Sequence, residues 1–219
     1  MKLETLWKNY KIPNCEKCKK DCSGALNYDS LCSNLNYLRN YAENNYEKNK
    51  ESFISFKDLF KIDNPKIFSF GCGIGLDGIA VKEVFSDNAK YYGIDKCEWA
   101  ITKTQNYKDF QPNLPKVINY GDGILYLSIA KKDVVVCFFN SLFTISNDVN
   151  LMDDLVKALI TKENFFILCD WTINSNYHLP KTEKDFLNKF CIKLSSKFTF
   201  KSFEILDGKG IIICGESKQ

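Results

Sequence analysis

The sequence has one histidine, five prolines and no run of about 18 apolar residues, and its charges nearly balance. The missing apolar run excludes a membrane-spanning helix, and residues 1–11 lack the apolar segment that a signal peptide needs. A formal net charge of +3 is too small to imply a polyanionic partner by itself. We therefore expect a soluble cytoplasmic protein that does not associate with membranes.

The composition is that of a folded protein, and the length allows one full domain with a small additional subdomain. The chain has 219 residues, of which 45% are hydrophobic and 26% charged, so a disordered chain is excluded. The composition changes near Asn64-Pro65, where a segment rich in Lys, Asn, Tyr and Cys ends. We predict a Cys-rich helical subdomain over residues 1–64 and a second domain over residues 65–219.

The second domain alternates short apolar runs with amphipathic segments, a pattern typical of strands joined by crossover helices. Residues 207–210 read D-G-K-G and are too few for a crossover helix, so the last two strands are predicted to form an antiparallel hairpin. The fold class is therefore α/β, with a seven-stranded, mostly parallel Rossmann-like sheet. The predicted strands are residues 66–70, 90–94, 116–120, 133–139, 164–170, 198–206 and 210–216, and the predicted helices between them are residues 77–85, 98–107, 150–162 and 182–194.

A glycine-rich turn follows the first predicted strand. Residues 71–75 read G-C-G-I-G, and a helical pattern begins directly after them. Glycines permit positive φ and let a ligand lie against bare backbone amides at a helix N-terminus. The second strand ends at Asp95, 20 residues after Gly75, where one carboxylate can accept both hydroxyls of a ribose. Taken alone, the turn is equally consistent with a tight bend and Asp95 with a helix cap.

Two ligand classes use such a turn and acid, namely dinucleotides and S-adenosylmethionine. The spacing of Gly71, Gly73 and Gly75 lacks the G-x-G-x-x-G step that brings a helix close to a pyrophosphate, which argues against a dinucleotide. The chain resembles the class I S-adenosylmethionine-dependent methyltransferases, whose first motif is an apolar strand followed by G-C-G-x-G. The resemblance covers residues 65–219.

The resemblance implies a role for several residues in binding the cofactor. It places Gly71, Gly73 and Gly75 against the methionine and ribose part, Asp95 at the ribose hydroxyls and Asp122 near the adenine amino group. The family commonly has an acid two residues before the first glycine, where this chain has Ser69. A serine cannot form the charged contact with the cofactor's amino group, so either Asp77 or backbone carbonyls replace it or the affinity for the cofactor is reduced.

Two segments at predicted strand ends offer residues for chemistry. Residues 140–143 read N-S-L-F, and their outer positions match the motif of methyltransferases that act on nucleobase amines, so Asn140 is a candidate catalytic residue. The motif's prolines are missing. After the fifth strand come Asp170, a candidate for positioning the acceptor, and His178, whose side chain can transfer protons near neutral pH.

A cluster of cysteines lies near the N-terminus. Cys15, Cys18, Cys22 and Cys32 supply four thiolates within 18 residues, the number that a structural zinc site needs. An iron-sulfur cluster takes the same number of ligands, and unmetallated thiols are the third interpretation. We predict one zinc ion per chain.

These observations predict a methyltransferase that uses S-adenosylmethionine and acts on a small-molecule or nucleic-acid acceptor by in-line displacement. Two alternatives stay open. One is a non-catalytic binding or partner subunit with the same fold, and the other is an enzyme that transfers the aminocarboxypropyl arm of the same cofactor.

Overall fold

The computed structural model describes residues 29–110, 116–139, 141, 149–170 and 179–218. The strands are β1 (Lys66–Phe70), β2 (Lys90–Ile94), β3 (Val117–Ile118), β4 (Val134–Phe138), β5 (Asn164–Asp170), β6 (Phe198–Ile205) and β7 (Gly210–Ser217). The helices are α1 (Leu31–Asn40), α2 (Ala42–Phe60), α3 (Leu76–Phe85), α4 (Gln105–Phe110), α5 (Tyr120–Ile129), α6 (Val149–Leu159) and α7 (Leu179–Leu194). Short 3-10 helices span Ser86–Asn88 and Ala100–Lys103.

The strands form one seven-stranded sheet in the order β3-β2-β1-β4-β5-β7-β6. Strands β1 to β5 pair in parallel, whereas β7 is antiparallel to both β5 and β6. The predicted α/β class, strand number and terminal hairpin are therefore confirmed. Because the carboxyl ends of the parallel strands meet at one edge, the turns after β1, β2 and β4 lie together.

The two faces of the sheet bury separate apolar cores. All five residues of β4 are buried, and they alternate between the two faces as the pleat requires. Val135 and Cys137 pack with α1, α2 and α3, whereas Val134, Val136 and Phe138 pack with α5, α6 and α7. The near-continuous apolar sequence of β4 is explained by burial on both faces.

Helix α2 is attached along α3 by apolar and polar contacts. The ring of Phe53 packs edge-on against Phe85 with ring centroids 6.2 Å apart, and Lys57 Nζ donates to the carbonyl oxygen of Val84 at 3.0 Å. Helix α1 is fixed by Asn34, whose Oδ1 accepts a hydrogen bond from the Ile101 amide at 3.0 Å. The described helical residues before β1 thus share one core with the sheet, and the division into residues 1–64 and 65–219 stays a prediction.

The structure corrects the sequence analysis around β3. Residues 116–120 were predicted as a strand, but only Val117–Ile118 pair with β2, and Tyr120 already begins α5. The Asn119 side chain caps this helix by accepting a hydrogen bond from the Asp122 amide at 2.9 Å. The predicted helix 98–107 is likewise divided between a 3-10 turn and α4. In the part of the chain that the structure describes, no helix is long and apolar enough to cross a membrane.

Candidate functional site

The glycine-rich turn joins β1 to α3 through left-handed backbone. Gly71, Gly73 and Gly75 have φ values of 71°, 63° and 81°, a region that L side chains rarely adopt. Gly75 is the N-cap of α3 and has no side chain that could accept a hydrogen bond from the first turn of this helix, where the Gly78 amide donates to Asp77 instead. The turn therefore places the positive end of a helix dipole at the carboxyl edge of the sheet, while the amides of Gly71, Gly73 and Gly75 donate within the protein.

The carboxylate of Asp95 lies beside this turn, at the end of β2. Its Oδ2 accepts from the Gly73 amide at 2.7 Å, and its Oδ1 accepts from the Cys97 amide at 3.0 Å. Burial raises the pKa of Asp95, while these amides and that of Lys96 oppose the rise. Each carboxylate oxygen has two lone pairs, so Asp95 fixes the turn and still has acceptor capacity for a ligand's hydroxyl groups.

A second carboxylate, Asp77, lies in the first turn of α3 and is only 3% exposed. Its Oδ1 accepts from the Tyr91 hydroxyl at 2.5 Å and from the Gly78 amide at 3.1 Å, whereas its buried Oδ2 has no hydrogen-bond partner in the part of the chain that the structure describes. Burial raises the pKa of Asp77 to about 6, although the nearby hydroxyls of Ser69 and Tyr91 oppose the rise. Ser69 Oγ itself forms no well-aligned hydrogen bond. Asp77 is thus a buried acid with an open acceptor.

One cleft joins these groups to helices α1 and α2. Its floor is the glycine turn with Asp77 and Asp95, and one side is formed by helical residues that precede β1. Ser141 lines it after β4 and donates from Oγ to the Phe70 carbonyl oxygen at 2.7 Å, which holds the β4 loop against the end of β1. The other described lining side chains include Tyr37, Asn45, Tyr46, Asn49, Lys96, Trp99, Tyr120 and Phe139.

Trp99 forms an aromatic wall of the cleft, whereas Tyr92 does not reach it. A Cβ atom placed on Gly73 would lie 2.8 Å from Trp99 Cζ2, so the indole packs directly on the turn. Tyr37 meets Trp99 edge-on with ring centroids 5.3 Å apart. Tyr92 stacks instead on Phe68 at 4.7 Å, in the core on the opposite face of the sheet.

The structure brings together some of the residues predicted for the cofactor and separates others. Gly71, Gly73, Asp77 and Asp95 line the cleft, and Gly75 begins the adjoining helix. Asp122 is exposed in α5, does not line the cleft and accepts from the Asn119 side-chain amide at 2.9 Å. Its role near adenine stays a prediction.

The predicted catalytic and metal residues are only partly described. Asp170 is buried at the end of β5 but is not part of the lining of the cleft, and Cys32 is buried in α1. Within the described ranges, no group of three or more His, Cys, Asp or Glu side chains is placed to hold a metal ion. The predicted residues Asn140, His178, Cys15, Cys18 and Cys22 lie outside the described residues.

Sequence reasoning missed the helical side of the cleft. Tyr46 and Asn49 lie on the face of α2 that also carries Phe53 and Phe56 into the core. All four side chains are buried and recur at spacings of three and four residues. An asparagine on an otherwise apolar helical stripe was the available signal, because a buried amide needs hydrogen-bond partners.

Comparisons with known proteins establish the fold. No protein-family model and no curated protein matches the chain. Its structure is similar to that of the 16S rRNA methylase ArmA, with a TM-score of 0.52 and 17% identity over 95% of this chain and 100% of that chain. The plantazolicin methyltransferase BpumL in complex with SAH gives a TM-score of 0.49 and 13% identity over 99% of this chain and 94% of that chain.

The chain has the class I methyltransferase fold. The described residues fit the cofactor that this fold implies. A methyltransferase cleft must accept ribose hydroxyls and a primary amine, and here Asp95 retains lone pairs beside the turn while Asp77 Oδ2 is buried with no donor among the described residues. The unpaired acceptor is the more telling feature, because buried polar atoms are normally hydrogen-bonded.

Proposed function

We propose that the protein is an S-adenosylmethionine-dependent methyltransferase acting on a small-molecule or nucleic-acid acceptor. The observation that carries this proposal is the cleft at the carboxyl ends of β1, β2 and β4, which combines an uncapped helix N-terminus with the carboxylates of Asp77 and Asp95. In an open parallel sheet, ligands bind at this edge. The similarity to a 16S rRNA methylase supports the general reaction class.

The chain's own residues would hold the cofactor and shield it. The Asp95 carboxylate would accept the ribose hydroxyls, the first turn of α3 would face the methionine part, and the ring of Trp99 would form one wall. The bound cofactor supplies a methyl group on a sulfonium, which a nucleophile displaces in line. The protein therefore mainly has to align donor and acceptor and to keep the acceptor unprotonated.

The candidate residues for positioning the acceptor are Asn140, Asp170 and His178. Asp170 is 1% exposed at the end of β5, on the same sheet edge as the cleft. We propose that it positions the acceptor, together with Asn140 and His178 from the segments that follow β4 and β5. Asp170→Asn is expected to lower the turnover number while leaving the affinity for S-adenosylhomocysteine unchanged.

Calorimetry with S-adenosylmethionine and S-adenosylhomocysteine tests cofactor binding first. Asp95→Ala should lower the affinity for both ligands by at least about tenfold, because the two charge-assisted hydrogen bonds proposed to the ribose hydroxyls are removed. Transfer of radiolabelled methyl groups to RNA, DNA or extracted metabolites then identifies the acceptor class. Absence of binding by the unaltered protein would refute the proposal.

One observation favours a second candidate, a non-catalytic subunit of the same fold. The position of the family's first acid is occupied by Ser69, whose buried hydroxyl provides no charge. Cofactor binding without methyl transfer to any of the three acceptor pools would support this candidate. Release of methylthioadenosine together with a labelled aminocarboxypropyl product would instead indicate transfer of that arm.

A further inference from the structure

Helix α2 contributes a buried acceptor without a hydrogen-bond donor among the described residues. Asn49 is 6% exposed and lines the cleft, and its buried Oδ1 has no hydrogen-bond partner within the described ranges. A buried amide oxygen without a donor is costly, so its persistence beside a cleft indicates a donor that arrives with a ligand.

Asp77 also lines this cleft and presents a second buried acceptor. Among the described residues its buried Oδ2 has no well-aligned hydrogen bond, although the Ser69 hydroxyl is near enough to lower the pKa of Asp77, and no cation is among the causes of the pKa shift. Lys96 is the one cation among the described lining residues, and it follows Asp95 on the loop after β2. Lys50, on α2 beside Asn49, is paired with Glu83 at 2.8 Å. A buried carboxylate without a positive partner is best stabilised by a cation.

We propose that Asn49 Oδ1 and Asp77 Oδ2 together bind the primary ammonium of the cofactor's methionine part. This assignment rests on the proposed function and adds a binding residue, Asn49, from a helix outside the predicted methyltransferase domain. An ammonium carries three N–H donors and a positive charge, so it satisfies two acceptors on different helices at once. A water molecule would satisfy the acceptors without neutralising the carboxylate.

Joint binding of the ammonium by Asn49 and Asp77 also explains how the chain can bind the cofactor with Ser69 at the position of the family's acid. Ser69 and Asp77 both flank the turn, and the Ser69 hydroxyl is close enough to affect the pKa of Asp77. Asp77 lines the cleft from α3, whereas position 69 lies in β1 and carries no charge. Helix α3 thereby supplies the charged acceptor, Asp77, and helix α2 supplies the neutral acceptor, Asn49.

The test compares two ligands that share a nucleoside and differ in the ammonium. S-adenosylhomocysteine carries the amino acid group, and 5′-methylthioadenosine lacks it. Calorimetry on the full chain should show that Asn49→Ala lowers the affinity for S-adenosylhomocysteine by about tenfold or more. The affinity for methylthioadenosine should stay within about twofold of that of the unaltered chain. Asn44→Ala, at an exposed position of the same helix, is the matched control and should change neither affinity.

Each other outcome overturns the assignment. Equal losses for both ligands would mean that Asn49 only supports the fold, and unchanged affinities would mean that it does not contact the ligand. Should the alanine variant not fold, Asn49→Asp keeps an acceptor of the same size and should retain S-adenosylhomocysteine binding within about threefold. A selective loss in that variant would exclude an acceptor role. If the unaltered chain binds neither ligand, the proposed function itself fails, and this assignment fails with it.

Discussion

Replacing Asp77 by Asn should stabilise the free protein at neutral pH. Burial raises the pKa of this carboxyl from 3.8 to about 6, so the folded state binds a proton more tightly than the unfolded state. A folded-state pKa above the unfolded value means that stability decreases as the pH rises from about 4 through 6. At pH 8 the ionised carboxylate costs the folded state about 3 kcal/mol, because one pKa unit corresponds to about 1.4 kcal/mol.

The asparagine variant retains the shape of the site without the charge. Its amide oxygen can still accept from the Tyr91 hydroxyl. We therefore expect Asp77→Asn to raise the free energy of unfolding by up to about 3 kcal/mol at pH 8 and by almost nothing near pH 4. The same variant should bind S-adenosylhomocysteine more weakly, because the positive ammonium loses its carboxylate.

Urea unfolding at pH 8 and near pH 4, followed by fluorescence, measures both differences. Asp58→Asn, on the exposed face of α2, is the matched control and removes a charge without changing a buried site. A variant that is destabilised equally at both pH values would refute the reasoning, since the loss would then come from packing and not from the buried charge. A stabilised variant with undiminished cofactor affinity would preserve the electrostatic argument and reject Asp77 as a binding residue.

Other substitutions test the surrounding geometry. Gly73→Ala should reduce the free energy of unfolding by at least about 1–2 kcal/mol, since the backbone is left-handed there and the new Cβ meets Trp99; thermal unfolding that is unchanged would contradict the described turn. Ser141→Ala should cost about 1–3 kcal/mol in urea unfolding by leaving the Phe70 carbonyl unpaired, whereas Ser141→Thr should largely restore it. Elemental analysis of the full chain purified without chelator should give one zinc per chain, and Cys32→Ser should lower that ratio; far less than one metal in the unaltered protein would remove the zinc hypothesis.

The sequence predicted the part of the fold in which local chemistry and tertiary structure agree. The apolar run at residues 66–70 became β1, the glycines after it adopted left-handed backbone, and Asp95 came to lie against the turn. Each of these features is determined by a few neighbouring residues. The hairpin of β6 and β7 was predictable for the same reason, because a four-residue link allows only antiparallel pairing.

The errors arose where a single side chain decides between two local structures. Residues 116–120 have the apolar alternation of a strand, yet the Asn119 cap begins a helix at Tyr120. In that helix Gly123 lies against Ile94, where a Cβ would approach to 2.7 Å, so the glycine permits close packing on β2. Helix propensity alone disfavours a glycine at position 123, and only the close contact with Ile94 explains why a glycine stands there.

The helical residues before β1 could not be assigned to the site from the sequence, because their contribution depends on a contact across the fold. Asn49 becomes significant only when α2 packs along α3 and brings its amide to the cleft that holds Asp77. Under the proposed ammonium site, the missing acid at position 69 is compensated by two groups from two helices. Cofactor binding then depends on residues that precede the predicted methyltransferase domain. Substitutions that loosen α2 from α3, such as Phe53→Ala, should lower the affinity for S-adenosylhomocysteine more than the affinity for methylthioadenosine. Equal weakening of both ligands would show that α2 supports the whole cleft and does not select for the amino acid group.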